Sequence, residues 1–155
     1  MSQISAGILM FRLRNKTTEV FLVHPGGPFW AGKDLGAWSI PKGLPEAHED
    51  PIVAAQREFE EETGCKVSGH FLQLSPVKTK SGKILQAWAV KGDCDSLTIR
   101  SNTFLLEWPP HSGKQKEFPE IDRAAWFDID EAKRKINQGQ RGLLDELQRI
   151  LSASG

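Results

Sequence analysis

Residues 43–65 read GLPEAHEDPIVAAQREFEEETGC, and the rest of the chain is read outward from them. Asp50-Pro51 opens a helix, with an acid at the N-cap position and proline in the first turn, where its missing N–H is not needed. Ile52, Ala55 and Phe59 follow at helical spacing, and Gly64 closes the helix as a C-cap. Residues three and four apart are neighbours on a helix surface, so Glu58, Glu61 and Glu62 fall within roughly 100° of arc. Glu60 points elsewhere. The apolar stripe lies beside the acidic one, so the helix packs on a core and presents three acids at its edge.

Like charges at this spacing destabilise an isolated helix. Arg57 can neutralise one acid. A hard divalent cation suits the others, since Mg²⁺ and Mn²⁺ prefer carboxylate oxygens and Mg²⁺ commonly completes its shell with water and phosphate. Taken alone, such a cluster also fits a solvated helix face. From Glu46 to Glu62 the seven acids Glu46, Glu49, Asp50, Glu58, Glu60, Glu61 and Glu62 face one base, Arg57. That window carries −6 within a chain of zero formal charge, 20 bases against 20 acids, so the remainder carries +6. Zero net charge argues against a duplex nucleic-acid binder that relies on bulk positive charge.

The flanks read as a mixed α/β layered domain. Ile4 to Leu13 and Glu19 to His24 form a hairpin across Asn15-Lys16-Thr17-Thr18. His24 to Leu35 is a Gly/Pro loop holding Phe29 and Trp30, and Ala37 to Ile40 is a short strand stopped by Pro41 and Gly43. After the helix, strands are expected at Lys66–Leu74, Ile84–Val90, Thr103–Trp108 and Ala124–Ile129, with a polar loop from Trp108 to Lys116. Helices are expected at Asp130–Ile136 and Gln140–Leu151. Trp88, Trp108 and Trp126 fall in strand patterns and read as core.

At 155 residues, 39% hydrophobic and 26% charged, the chain reads as one domain, 1–155, able to bury a core without staples. Cys65 and Cys94 have no metal-ligand spacing and read as two reduced thiols. No apolar run approaches a membrane span, and the apolar start lacks the marks of a signal peptide, so cytoplasm is the expected location. The four histidines, His24, His48, His70 and His111, form no ligand spacing.

Gly43, Glu49 and the run Arg57-Glu58-Phe59-Glu60-Glu61-Glu62-Thr63-Gly64-Cys65 resemble the Nudix box, Gly-x5-Glu-x7-Arg-Glu-U-x-Glu-Glu-x-Gly-U with U bulky and apolar. Every fixed position is present; Phe59 and Cys65 fill slots that more often hold aliphatics. The resemblance implies an α/β/α sandwich with a mixed β-sheet. It implies water attack on a phosphorus of a pyrophosphate in a nucleoside diphosphate linked to another moiety, assisted by Mg²⁺ or Mn²⁺. By matching positions, Glu58, Glu61 and Glu62 would hold metal, with the Lys42 carbonyl as an extra ligand. Arg57 would orient a box glutamate, and Glu49 would support the loop or an outer metal. Gly43 and Gly64 would serve backbone geometry. The proton-accepting carboxylate varies in the family. Here it is Glu61 within the box or Glu120, which precedes Trp126 at a spacing similar to that in diadenosine polyphosphate hydrolases and would serve as that base or as a further metal ligand; Glu117 competes with it.

Trp38-Ser39-Ile40-Pro41-Lys42-Gly43 resembles the Trp-x-x-Pro-Lys-Gly segment of dinucleoside polyphosphate hydrolases, in which Lys42 could meet a phosphate. The chain has no tyrosine, so the downstream tyrosine of many such enzymes is missing. The proline that follows the box in ADP-ribose hydrolases is missing too. Phe29 and Trp30 are candidates to stack on a base. Lys78, Lys80 and Lys83 line a hairpin, where Lys78 could bind distal phosphate or simply guard a sheet edge. The leading expectation is a metal-dependent hydrolase of a dinucleoside polyphosphate or related nucleotide, working as monomer or homodimer. The alternatives are a pyrophosphohydrolase of non-standard nucleoside triphosphates and a non-catalytic sensor of nucleotides or RNA ends.

Overall fold

The computed structural model describes residues 4–79 and 81–153. Strands β1 (Ile4–Arg14) and β2 (Thr17–Pro25) form the expected hairpin, paired Arg14 to Thr17. Asn15 and Lys16 both have positive φ, 52° and 64°. This two-residue turn matches the twist of an antiparallel pair, and β2 therefore starts earlier than the composition suggests.

Strand β3 (Lys42–Gly43) pairs with β1, and helix α1 (Pro51–Thr63) follows. Short strands β4 (Leu72–Gln73) and β5 (Val77–Lys78) pair with β6 (Ile84–Lys91), and β6 runs parallel to β1. Strands β7 (Thr103–Glu107) and β8 (Gln115–Pro119) make a separate two-stranded ribbon. Strand β9 (Ile121–Asp128) pairs with β2, and helices α2 (Ile129–Lys135) and α3 (Arg141–Ala153) end the chain. The main sheet runs β4-β6-β1-β2-β9, with the β1/β6 pair parallel and the other pairs antiparallel.

Alternation along β1 and β2 divides the core in two. Ile8, Met10, Phe21 and Val23 face α1 and pack on Ala54, Ala55 and Phe59. Leu9, Val20 and Leu22 face the other way, onto Ile129, Ala132, Leu143, Leu144 and Leu147 of α2 and α3. The result is the α/β/α sandwich with a mixed sheet. Among the described residues no helix is long and apolar enough to cross a membrane.

Four expectations need correction. Ala37–Ile40 is no strand; it makes only isolated bridges, Val23 to Ser39 and Trp38 to Ile136, because it crosses from β2 to the end of α2. Lys66–Leu74 shrinks to Leu72–Gln73, since Gly69 takes a φ of 132° that breaks an extended run. Thr103–Trp108 pairs outside the main sheet, with a strand hidden in polar sequence. Its far end, Trp108, is half-buried rather than core. Cys65 and Cys94 are not free thiols but a disulfide, with Cα atoms 6.1 Å apart. It staples the residue after the α1 cap to the segment after β6. The hairpin lysine Lys80 lies outside the described residues.

Closing a loop of 29 residues restricts the unfolded chain by about 3–4 kcal/mol in the chain-entropy model. Cys94→Ser, or reduction of the wild type, is expected to lower the urea midpoint by a corresponding amount. Equal midpoints under oxidising and reducing conditions would show that the bond contributes nothing.

Candidate active site

Helix α1 is placed by its apolar face, and its acids follow from that placement. Gly64 takes φ 79° and its N–H caps the Glu60 carbonyl, ending the helix directly after the acidic turn. Asp50 holds the N-cap position, although its side chain makes no capping hydrogen bond. Glu60 is exposed, away from the other three.

Arg57 gathers the cluster. Its Nε and Nη2 donate to Glu49 at 2.9 and 3.0 Å, a two-pronged grip, and its Nη1 donates to Glu58 at 3.0 Å and to Glu61 at 3.1 Å. Nη2 also reaches the Leu44 carbonyl at 3.2 Å. These contacts hold the guanidinium firmly protonated, the Glu49 bond above all, and the same bond lowers the Glu49 pKa. Glu49 also accepts the Glu46 N–H at 2.9 Å, so it ties the loop ahead of α1 to the helix.

Glu62 is buried, and one carboxylate oxygen accepts the Lys42 N–H at 3.1 Å. Burial raises its pKa to about 8, and the Glu58 and Glu120 charges add to the rise against the hydrogen bond from Lys42. Burial likewise raises Glu58, opposed by Arg57. Gly43 leaves room for Glu58: a Cβ there would occupy the position of the Glu58 carboxyl group. Glycine thus lets backbone and carboxylate approach across the gap between β3 and α1.

Glu120 sits at the junction of β8 and β9. Its N–H donates to the Asn102 carbonyl and its own carbonyl accepts the Gly26 N–H, each at 2.8 Å. Its charge acts on both Glu58 and Glu62, so it faces the α1 acids. Glu117 stands on the exposed ribbon opposite Leu105.

Beside Glu62 lies a cleft of about 240 Å³ lined by Val23, Pro25, Trp30, Gly36, Ala37, Ser39, Ile40, Lys42, Glu62, Ile121 and Asn137. Trp30 and Lys42 therefore meet at one opening. Phe29 lies outside it, 61% exposed and edge-on to Trp108 at 5.6 Å between ring centroids. Lys78 is on an edge strand and does not line the cleft. Sequence reasoning missed Asn137 and Ile121, which reach the cleft from distant segments; nothing local in the sequence marks them.

The donor set suits a hard cation: three carboxylates on one helix face, beside the β3 backbone. Among the described residues no three acidic, His or Cys side chains already surround one point. Glu58 and Glu61 lean on Arg57 instead.

Glu62 has a higher pKa folded than the ordinary 4.5, so the folded chain holds its proton up to about pH 8. Without metal, stability is expected to fall as pH rises from about 4.5 to about 8. A melting series in chelator reads this; Mg²⁺ should flatten the slope, and Glu62→Gln should remove most of it. Gly43→Ala is expected to displace Glu58 and weaken Mn²⁺ binding roughly tenfold or more by calorimetry. Unchanged affinity would mean that Glu58 is no ligand.

The NUDIX domain family model matches residues 1–147. The chain is 30% identical over 109 residues to the CMP-5'-(N-acetyl-N-hydroxy-3-aminopropyl)phosphonate hydrolase of Streptomyces rubellomurinus, covering 69% of this chain and 45% of that protein. It is 32% identical over 127 residues to Nudix hydrolase 6 of Arabidopsis thaliana, covering 81% and 39% respectively. The chain thus spans less than half the length of these curated relatives. In structure it resembles a C. elegans Ap4A hydrolase, with a TM-score of 0.67 at 20% identity over 97% of this chain and 98% of that one. It also resembles the NUDIX domain of Shewanella oneidensis NrtR complexed with ADP ribose, with a TM-score of 0.64 at 14% identity over 97% and 89%. With a family model matched along nearly its whole length, a box complete at every fixed position and the sandwich that positions it, this chain belongs to the NUDIX domain family.

Proposed function

We propose that the chain is a metal-dependent hydrolase of a pyrophosphate bond in a nucleoside diphosphate linked to another moiety. The dinucleoside polyphosphates are the first candidates. The observation that carries this is the cleft, which brings an aromatic ring, a lysine and a buried carboxylate to one opening. Trp30 would stack on a base, Lys42 would meet phosphate, and the α1 acids would sit where the phosphate chain leaves the cleft. Glu58, Glu61, Glu62 and the Lys42 carbonyl would hold Mg²⁺ or Mn²⁺. When bound, the cation would neutralise phosphate charge and activate water for attack. Glu61, or Glu120 from across the site, would accept the proton of that water. Arg57 would keep Glu58 and Glu61 in reach of one another.

A cleft of about 240 Å³ is below the usual size for a whole drug-sized ligand, so it suits one nucleoside. A second nucleoside would lie outside, over exposed Phe29. Among the relatives, one acts on a CMP-linked phosphonate, one is an Ap4A hydrolase, and one binds ADP ribose. These share a nucleoside phosphate joined to something else. The one-nucleoside size equally favours a nucleoside triphosphate, which is the second reading.

The test is incubation with Mg²⁺ and a panel of dinucleoside polyphosphates, nucleoside triphosphates and ADP-ribose, with products separated by chromatography. Diadenosine tetraphosphate giving ATP and AMP supports the first reading. Turnover of triphosphates alone, to monophosphate and pyrophosphate, supports the second. Glu61→Gln is expected to lower kcat by about 10²–10⁴ without moving the melting temperature. Trp30→Ala is expected to raise KM roughly tenfold. A fully folded, metal-loaded protein with no turnover on any of these would favour a nucleotide sensor.

A further inference from the structure

His24 is fully buried on β2, and both of its ring nitrogens are engaged. Nδ1 lies 2.8 Å from an oxygen of Asp122 and Nε2 lies 2.7 Å from the Lys33 carbonyl oxygen. A carbonyl and an ionised carboxylate can only accept. A neutral imidazole has one N–H and one lone pair, so in either tautomer one contact would set lone pair against lone pair. Both bonds form only when the His24–Asp122 pair carries one extra proton, chiefly as an imidazolium.

The two partners are parts of the site. Lys33 closes the aromatic loop: its N–H bonds the Trp30 carbonyl at 3.0 Å, and its ammonium lies 5.1 Å from the Trp30 ring centroid. Asp122 opens β9 two residues after Glu120, and the chain neighbours of His24, Val23 and Pro25, both line the cleft. We propose that His24 is a positioning residue whose doubly protonated ring fastens the aromatic loop 26–35 to the start of β9, so that nucleotide binding is coupled to proton uptake. The coupling rests on the proposed role of Trp30; the fastening does not.

The other charges near the ring come from three elements. Arg123 of β9 lies 3.7 Å from Asp122 and 5.2 Å from the centroid of Trp38, whose ring packs edge-on to His24. Asp34, next to Lys33 in the same loop, accepts from the Trp38 indole and from Lys135 of α2. Asp34 is thus matched by Lys135, which leaves Asp122, shared with Arg123, as the carboxylate that meets the ring directly. Loss of the proton removes the donor to Lys33 or to Asp122. The carboxylate contact is the stronger one, so the Lys33 bond is the one released. The ordered loop is therefore favoured at low pH and loosens as pH rises, and by reciprocity a ligand that needs the ordered loop draws a proton in.

The test begins without ligand. Histidine ring nitrogens are followed by ¹⁵N NMR across a pH series. Hydrogen exchange of residues 26–35 is followed in the same samples, corrected for intrinsic rates. His24 should carry protons on both nitrogens at the acid end, and protection of the loop should drop roughly tenfold as the ring loses one. Protection of α3, which follows global stability and the Glu62 proton, should not share the loop's transition. Asp122→Asn, at a partly exposed position, removes the countercharge without emptying the core, and should shift both transitions to lower pH together. A ring that keeps a single proton throughout overturns the proposal, and so does a loop whose protection ignores the ring's titration. If the panel yields a substrate, KM should rise with pH through the same transition while kcat follows the α1 acids; a KM that ignores the transition overturns the coupling. Absence of turnover would count against the proposed function, while the ligand-free measurements would still decide the fastening.

Discussion

Three carboxylates on consecutive turns of one short helix repel each other, and the site depends on what holds them together. Arg57 does so from the middle of the cluster. It gives Glu49 two bonds and Glu58 and Glu61 one each, so a single guanidinium balances three acids from a loop and a helix. Such forked contacts suit arginine, whose planar donors point in several directions at once. Glu62 receives none of this and lies buried at the wall of the cleft. Its carboxyl keeps its proton well above the ordinary range. The cluster is therefore held in two ways, with Glu58 and Glu61 paired to a cation and Glu62 neutralised by burial.

The part legible in sequence was the part with short-range spacing. A helix period, a capping glycine and three acids within five residues place Glu58, Glu61 and Glu62 on one face whatever lies around them. A layered α/β domain was legible because strands and helices alternate with clear apolar faces; the sandwich itself was implied by the resemblance of residues 43–65. The ribbon β7–β8 was not, since Gln115–Pro119 is largely exposed and polar. Its pairing leaves no hydrophobic alternation to read. The disulfide was missed for a related reason: two cysteines 29 residues apart carry no spacing signal, and only the fold brings Cys65 to Cys94.

The cleft was legible only in its aromatic half. Trp30 stood out as a large ring in a Gly/Pro loop. Asn137, Ser39 and Ile121 are ordinary residues made neighbours by β2, β9 and the end of α2. His24 was a lone histidine next to a proline, and such a residue declares itself only when both ring nitrogens have found acceptors.

Glu120 shows how a residue outside the box is brought to it. The chain of contacts starts at the C-terminus of α1, where the Thr63 carbonyl accepts the Arg100 N–H at 3.0 Å and Cys65 is joined to Cys94. The segment so anchored then holds the β8–β9 junction: Ser101 Oγ accepts the Ile121 N–H at 3.0 Å, and the Asn102 carbonyl accepts the Glu120 N–H at 2.8 Å. On its other side, Glu120 accepts from Gly26 at the start of the aromatic loop. One disulfide and a few backbone hydrogen bonds thus link the helix that carries the acids, the acid that faces them and the loop that bears Trp30. Because main-chain groups supply most of these bonds, an exposed side chain such as Leu97 can vary while the relative placement of the three parts persists, whereas Ile99 packs on the core. The ribbon between Asn102 and Glu120 adds its own contacts to the loop, since Trp108 meets Phe29 edge-on and Phe104 lies against Gly27.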